Sequence, residues 1–451
     1  MARNKAQMDL TEGPILKKLA LFALPFLGSS FIQQLYVMID VMFIGKFLGT
    51  EASAAANAGV NLTGFLLNVF TGLGVGVGVA CARAYGGKND SWLSEIIHTV
   101  AVLTAESAVI LTLIGIAAAR PLLQFVNAPD SILDAATTYL RIYFLSILAG
   151  ICYNIANGIL GALGDSTSAL KNQFVGGMTN IAGDALAIFV FKAGINGVAA
   201  ASVIAQSISA LLTVFKLTRL PEEYRLSFRK LHINRNVIEE VMKVSIPAAV
   251  QAGLITFSNM LIQSQINTLG TVSIAAFSVY YQAENFTYYP IAAVGSATVT
   301  FIGQNYGAGK LERLRKGFKT AMGLGVGVGL FCSVLEVLGR KFVVSLFTSD
   351  EEVLTLCCSM CLVILPFYCI YAVIEILSAD MRGRGVALPP MLVTFIGMGL
   401  LRVVLLYVIA AFSPTALSAV AIYPLSWVIT STVLIITRII LCRKGKMEPA
   451  A

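Results

Sequence analysis

The sequence predicts an all-α, polytopic membrane protein with twelve transmembrane helices in two pseudo-symmetric six-helix bundles. Three observations predict it. Hydrophobic residues make up 57% of the chain and charged residues 12%, about half the charged share of an average soluble domain, and the mean hydropathy is +0.81. Apolar stretches of the ~20 residues that a spanning helix needs recur at 16–45, 52–82, 93–119, 134–159, 169–191, 196–217, 237–266, 272–303, 318–344, 353–378, 387–411 and 415–441. The second half also repeats the first: "FLGTEASAA" at Phe47 returns as "TLGTVSIAA" at Thr268, "ARAYGGKN" at Ala82 as "GQNYGAGK" at Gly303, and "ALP" at Ala23 as "SIP" at Ser245.

The basic start "MARNK" precedes an apolar stretch far longer than the ~7–15 residues of a signal-peptide core, so it reads as a retained first helix. Pro25 and Pro247 fall at matching places in the first helix of each half, where a proline permits a kink. In "TGLGVGVGVA", Thr71 to Ala80, glycine takes every second position, which lets neighbouring backbones approach closely. His98 near the start of the third helix reads as an interfacial or packed residue. The polar linker "KLTRLPEEYRLSFRKLHINR", Lys216 to Arg235, carries His232 and joins the halves. The expected division is an N-terminal lobe 1–217, a linker 218–236, a C-terminal lobe 237–442 and a tail 443–451. Six helices per half make the repeats parallel, a transporter arrangement with the site between them and alternating access by rocking. The cysteines of "LCCSMC", Cys357, Cys358 and Cys361, lack further converging ligands for a metal and read as small hydrophobes.

With the N-terminus cytoplasmic, 25 of the 32 Lys and Arg residues fall on inside segments, Arg3, Lys5 and the linker cluster among them. That asymmetry is the positive-inside pattern. The net charge of +8 therefore reads as membrane topology, with no nucleic-acid partner, and both termini are expected in the cytoplasm.

A charge at bilayer depth costs ~2.5–3.5 kcal/mol on insertion scales, so intramembrane polar residues are candidates for function. In the first half, Asp40 shares a helical face with Gln33 and Tyr36. Asn154 and Asn157 are three apart, Asn180 and Asp184 four apart, and Ser202 lies early in the sixth helix. Two carboxylates with amide and hydroxyl oxygens can coordinate Na⁺ at Asp40 and Asp184 or hold a proton; the competing reading is interhelical hydrogen-bond glue. The second half departs from its twin. Asp40 faces Leu261 across the repeat and Asp184 faces Leu405, whereas Glu375 takes the place of Asn154. Glu284, Glu375 and Arg402 are its candidates, either as a neutralised bridge to Arg402 or as a second ion site. Tyr281 lies beside Glu284 and Tyr371 beside Glu375, and aromatic faces with a carboxylate suit a lipophilic cation. Glu106 and Glu336 have no assigned place.

Five stretches, "TEGPILKKLALFALP", "LYVMIDVMFIGKFLGTEASAA", "GALGDSTSALK", "FIGQNYGAGKLERLRK" and "MRGRGVALPPM", occur in order across nearly the whole chain. They resemble the multidrug and toxic compound extrusion (MATE) transporters. The resemblance implies a V-shaped MATE/MOP fold in the bacterial cytoplasmic membrane, exporting organic cations or drugs in exchange for H⁺ or Na⁺, with no other cofactor, membrane lipids as surroundings and a monomer as the working unit. The pattern is similar to the DinF-like branch, whose cation and proton site implies Asp40, Asn180, Asp184 and Ser202 here, the last a Ser for Thr replacement, with Gln33 or Gln34, Tyr36, Asn154 and Asn157 lining the cavity. The acid that the norfloxacin-exporter branch places on its seventh helix is absent from "VQAGLITFSNMLIQSQINTLG". A lipid-linked oligosaccharide flippase of the same superfamily is the alternative, set back by the mostly acidic intramembrane charge. A membrane scaffold needs neither parallel repeats nor several buried acids. No nucleophile and base pair, metal set or P-loop points to an enzyme.

Overall fold

The computed structural model describes residues 7–58, 60–125 and 129–447; Arg3, Lys5 and the last four residues of the tail lie outside them. The described chain is helical, as an apolar surrounding requires: without water, each backbone N–H and C=O has to find its partner inside the segment. The first half holds α1 (Ile15–Phe43), α2 (Gly49–Ala58), α3 (Val60–Gly86), α4 (Asp90–Phe125), α5 (Asp130–Ala162), α6 (Ser166–Ala185) and α7 (Gly194–Thr218). The second holds α8 (Arg235–Asn267), α9 (Thr271–Ala283), α10 (Asn285–Gly307), α11 (Leu311–Ser345), α12 (Glu351–Ile364) and α13 (Tyr368–Gly383), then α14 (Leu388–Thr394), α15 (Leu401–Phe412), α16 (Ala416–Val420) and α17 (Ile422–Arg443).

Eleven helical stretches among the described residues are long and apolar enough to cross a membrane. The eighth expected span, 272–303, is the one outside that set. It is divided at Glu284 into α9 and α10, where the N–H groups of Thr287 and Tyr288 both turn to the Glu284 carbonyl, at 3.0 and 2.8 Å. Three other helices run into wider π turns, at Ile44–Leu48, Leu186–Val190 and Phe395–Leu400. Such turns insert a residue into the ladder and re-aim the side chains beyond it. Large apolar side chains are exposed along the outer faces, Phe331, Leu338 and Phe342 of α11 at 64%, 76% and 70%, as a lipid-facing surface demands.

By contact, the chain separates into two compact units, Met1–Asp9 with Gly28–Ala249, and Leu10–Leu27 with Val250–Ala451. Of the three boundaries, one lies between Asp9 and Leu10, ahead of α1, and two fall inside the first helix of a half, two residues after Pro25 and two after Pro247. A proline removes a helix N–H and crowds the carbonyl four residues back, so these two divisions follow a weakened turn. In the second unit, Leu10 N–H donates to Gln304 Oε1 at 3.0 Å, and Arg313 donates to the carbonyls of Leu10, Glu12 and Gly13. The buried cysteines Cys357, Cys358 and Cys361 belong to the apolar core of that unit.

Within the first unit, the alternating glycines of α3 serve two faces at once. Gly72 and Gly76 abut α8, where a Cβ would come within 2.5 Å of Ala249 Cα and 2.4 Å of Ser245 Cα. Gly74 and Gly78 abut α5, and a Cβ on the facing Gly158 would lie 2.4 Å from the Gly74 carbonyl oxygen. Spacing of four puts each pair on one helical face, and the absence of side chains brings three backbones together. Ser245 Oγ adds a hydrogen bond to the Leu73 carbonyl at 3.1 Å. Close packing thus accounts for the glycine run. Gly158→Ala is expected to lower stability by about 1–3 kcal/mol through overpacking, while Gly323→Ala, with nothing within 4 Å of its new Cβ, leaves the melting temperature in detergent unchanged or higher. Equal melting temperatures for the two variants would refute this packing account.

Candidate functional site

Asp40 projects from α1, Asn180 and Asp184 from α6, and Ser202 from α7, and the fold brings all four together. Asn180 Nδ2 donates to Ser202 Oγ at 3.3 Å, and Ser202 Oγ donates to Asp40 Oδ2 at 3.4 Å. The Asp184 carboxyl faces that of Asp40. Asp184 is 0% exposed and Asn180 2%. Asp40 Oδ1, Asn180 Oδ1 and both carboxylate oxygens of Asp184 are buried without a hydrogen-bond partner. Buried polar atoms are nearly always paired in native proteins, so four such oxygens on three adjacent residues call for a proton shared between the two carboxyls or a cation beside them. All four are hard oxygen donors of the kind that Na⁺ or a proton takes.

The surrounding residues divide. Tyr36 OH accepts from Gln173 Nε2 at 3.4 Å, and Asn157 Oδ1 is another buried oxygen without a partner. Asn154 is satisfied elsewhere: its Nδ2 donates to the Gly150 carbonyl at 2.8 Å and its Oδ1 accepts from Thr71 at 3.3 Å. Gln33 is exposed and Gln34 half-buried on the same helix. Gln173 had escaped the sequence reading, although it stands seven residues before Asn180 on one face of α6, and so had Tyr139 and Tyr143 of α5, close enough to feel the Asp40 charge.

In the second unit, Glu284 sits at the α9–α10 break, where its Oε2 accepts from Tyr280 OH at 2.5 Å and Tyr368 OH at 2.9 Å. Tyr371 packs against Tyr288, Tyr368 and Trp427 with ring centroids 5.8, 5.8 and 5.4 Å apart. Tyr281 is 43% exposed. Glu336 of α11, unplaced from sequence, is buried and accepts from Thr287 Oγ1 at 2.6 Å. Glu106, the other unplaced acid, is exposed on α4 among exposed apolar side chains.

Of the two readings of these acids, the bridge to Arg402 is not formed as an ion pair, although Glu284 lies close enough to feel the Arg402 charge. Glu375 pairs with Arg382 on its own helix at 2.9 Å, two turns away on the same face. Arg402, 2% exposed, donates to Ser426 Oγ at 2.9 Å and Asn259 Oδ1 at 3.1 Å, with its guanidinium 4.6 Å from the Tyr423 ring centre. Neutral oxygens and an aromatic face hold this cation, with no carboxylate within ion-pair distance among the described residues.

Helices of membrane-spanning length in two halves, with buried carboxyls facing one another in the first, are the architecture of a polytopic membrane transporter. The chain belongs to the MatE family, whose sequence profile matches residues 25–186 and 247–408, one match in each half. It is therefore a multi-pass membrane protein. It is 24% identical to a probable multidrug resistance protein, YoeA of Bacillus subtilis, over 92% of this chain and 91% of that protein. It is 21% identical to the multidrug export protein MepA of Staphylococcus aureus, over 76% of each. Among solved structures, a MATE protein in complex with MaL6 superposes with a TM-score of 0.91 at 20% identity, covering 98% of this chain and 100% of that one. An outward-facing multidrug resistance MATE transporter of the MOP superfamily gives 0.90 at 20% identity, with 99% and 100% covered.

The observed pairing makes Glu375→Gln strand Arg382. With both side chains mostly buried, the variant is expected to lose about 1–3 kcal/mol, somewhat less than a fully buried pair. Arg382→Met should restore the melting temperature of Glu375→Gln and Arg402→Met should not. Rescue by Arg402→Met would overturn the assignment.

Proposed function

We propose that this MATE transporter is a secondary active multidrug antiporter, exporting lipophilic and often cationic organic compounds in exchange for H⁺ or Na⁺ by alternating access. The observation that carries it is the pair Asp40 and Asp184, facing one another with three unpaired carboxylate oxygens inside membrane-spanning helices. Two facing carboxylates in a medium of low dielectric repel strongly unless a proton or a cation lies between them. A site of this kind exchanges its occupant with whatever gradient the membrane carries. Ser202 and Asn180 supply the neutral oxygens that complete a coordination shell for Na⁺ or steady the neutral acid when a proton binds. This is the DinF-like arrangement, in which the N-terminal half holds the ion.

The names of the relatives, a multidrug resistance protein and a multidrug export protein, support drug as the cargo. The tyrosine and tryptophan rings around Glu284 and Tyr371 suit a lipophilic cation, since ring faces attract positive charge and bury apolar bulk together. The reading takes the protein as a monomer in the bacterial cytoplasmic membrane, with both termini and the linker on the cytoplasmic side, where most Lys and Arg residues fall.

In vesicles with separately clamped H⁺ and Na⁺ gradients, Asp184→Asn and Asp40→Asn are expected to fold normally and to keep about a tenth or less of wild-type efflux. The amide keeps shape and hydrogen bonding but has no charge to exchange. Asp40→Asn should also lose the response of drug binding to pH or Na⁺. Wild-type efflux by either well-expressed variant would overturn the ion role.

A further inference from the structure

The chain has two histidines, and the fold stacks them, with ring centroids 6.2 Å apart and planes inclined by 22°. Their hydrogen bonds impose opposite protonation states. His98 of α4 places Nδ1 2.7 Å from the Ser94 carbonyl, which only accepts, and Nε2 receives the Ser227 backbone N–H at 3.1 Å. One nitrogen has to carry a proton and the other has to lack one, so His98 is neutral here, in the Nδ1–H tautomer. His232, on the linker, places Nδ1 2.8 Å from the Lys230 carbonyl and Nε2 2.7 Å from Glu95 Oε2. Both partners are acceptors only, and both contacts are hydrogen bonds only when the ring is the doubly protonated cation.

We propose that His232 is a proton-binding site that fastens the linker to α4 when it is protonated and loosens it when the proton leaves. The remaining fastenings converge on the same turns of α4. Glu95 Oε2 also accepts from Asn234 Nδ2 at 2.9 Å, and the Asn234 backbone N–H donates to Thr99 Oγ1 at 3.1 Å. His232 is thus the member of the latch that needs an added proton, beside the neutral donors of Asn234, the Glu95 carboxylate and the His98 ring that accepts from Ser227. The groups that face it are Glu95 and the neutral His98 ring from α4, with the Lys230 carbonyl from the linker; Asp90, Glu223 and the Lys230 side chain line the same groove. The groove, about 690 Å³ and open to solvent, lets protons reach the ring.

The Glu95 carboxylate, and after it the Lys230 carbonyl, hold the His232 proton to a higher pH than a free imidazole would. The histidine contribution to the latch is accordingly complete below the ordinary histidine value of 6.5 while Glu95 stays ionised, and is lost as pH rises through the raised value. Nothing in the proton-binding role of Asp40 and Asp184 depends on it. Its consequence for transport rests on the antiporter reading, since the linker then answers the pH of the compartment into which antiport brings protons.

Two measurements on the full-length protein in detergent test the proposal without transport. Imidazole ¹⁵N spectra, assigned with His232→Gln, should show His98 as the Nδ1–H tautomer and His232 titrating with a midpoint above 6.5, lowered in Glu95→Gln. Hydrogen exchange of linker amides between residues 219 and 234, corrected for intrinsic rates, should show protection falling about threefold or more as pH rises through that midpoint. That step should vanish in His232→Gln. A His232 midpoint that Glu95→Gln leaves in place, or a step of protection that survives in His232→Gln, would overturn the latch. Failure of the Asp40 and Asp184 variants to affect efflux would leave both readouts as they are.

Discussion

A carboxylate within an apolar layer needs a counter-charge or donors in reach, and the ways in which this chain meets that need divide its acids by role. Asp380, fully buried, is held by Arg384 at 2.9 Å and Arg438 at 2.8 Å, and Arg384 also reaches the Met447 carbonyl to pin the end of the described chain. Glu375 has Arg382. Glu284 takes two tyrosine hydroxyls and Glu336 one threonine hydroxyl. Asp184 alone among these has both oxygens buried and unpaired, beside an Asp40 that is half provided for. Desolvation of an unneutralised carboxylate runs to several kcal/mol, far more than one packing contact returns. A proton shared between the two facing carboxyls removes most of that cost.

Packing of small residues gives those helices a fixed framework. Gly74 and Gly158 let α3 and α5 touch backbone to backbone, and Gly72 and Gly76 do the same for α3 and the first part of α8. Without a hydrophobic drive between helices in lipid, such van der Waals contact is a principal source of association. The prolines work in the other sense. Pro25 and Pro247 stand next to the points where the chain passes from one compact unit to the other, so each unit keeps its close packing while the chain between units retains its weakest turns.

The class of fold and the polar residues of the first half were legible because both rest on local signals. Apolar length reports a span directly, and Asn180 with Asp184 four residues on lie on one face by helix geometry alone. Asp40 stands out in an apolar run for the same reason. What sequence does not carry is the choice among partners at long range. Arg402 and Glu375 looked complementary by charge, yet the guanidinium found Ser426, Asn259 and the Tyr423 ring, and Glu375 found Arg382 seven residues ahead on its own helix. The i, i+7 spacing of that pair was visible in the sequence, whereas the location of Asn259 opposite Arg402 depends on how α8 packs. Glu336 was unreadable for the same reason, because its partner Thr287 lies on another helix, beyond a break that hydropathy alone does not mark. The stacking of His98 on His232 likewise joins residues 134 positions apart in the sequence.

The duplication shows how one scaffold supports two chemistries. Gly74 meets the Asn154 backbone in the first half, and 221 residues later Gly295 meets the Glu375 side chain, so the same two repeat positions lie against one another in both halves. In the first half the amide at that position turns inward to its own helix and to Thr71, leaving nothing charged to balance. In the second the carboxylate calls for an arginine, and Arg382 supplies it from the same helix, keeping the net charge there at zero. Asp184, conversely, faces only Leu405 across the repeat. That leaves two facing carboxyls in the first half, Asp40 and Asp184, and in the second an aromatic enclosure whose acids are held by hydroxyls and an internal ion pair.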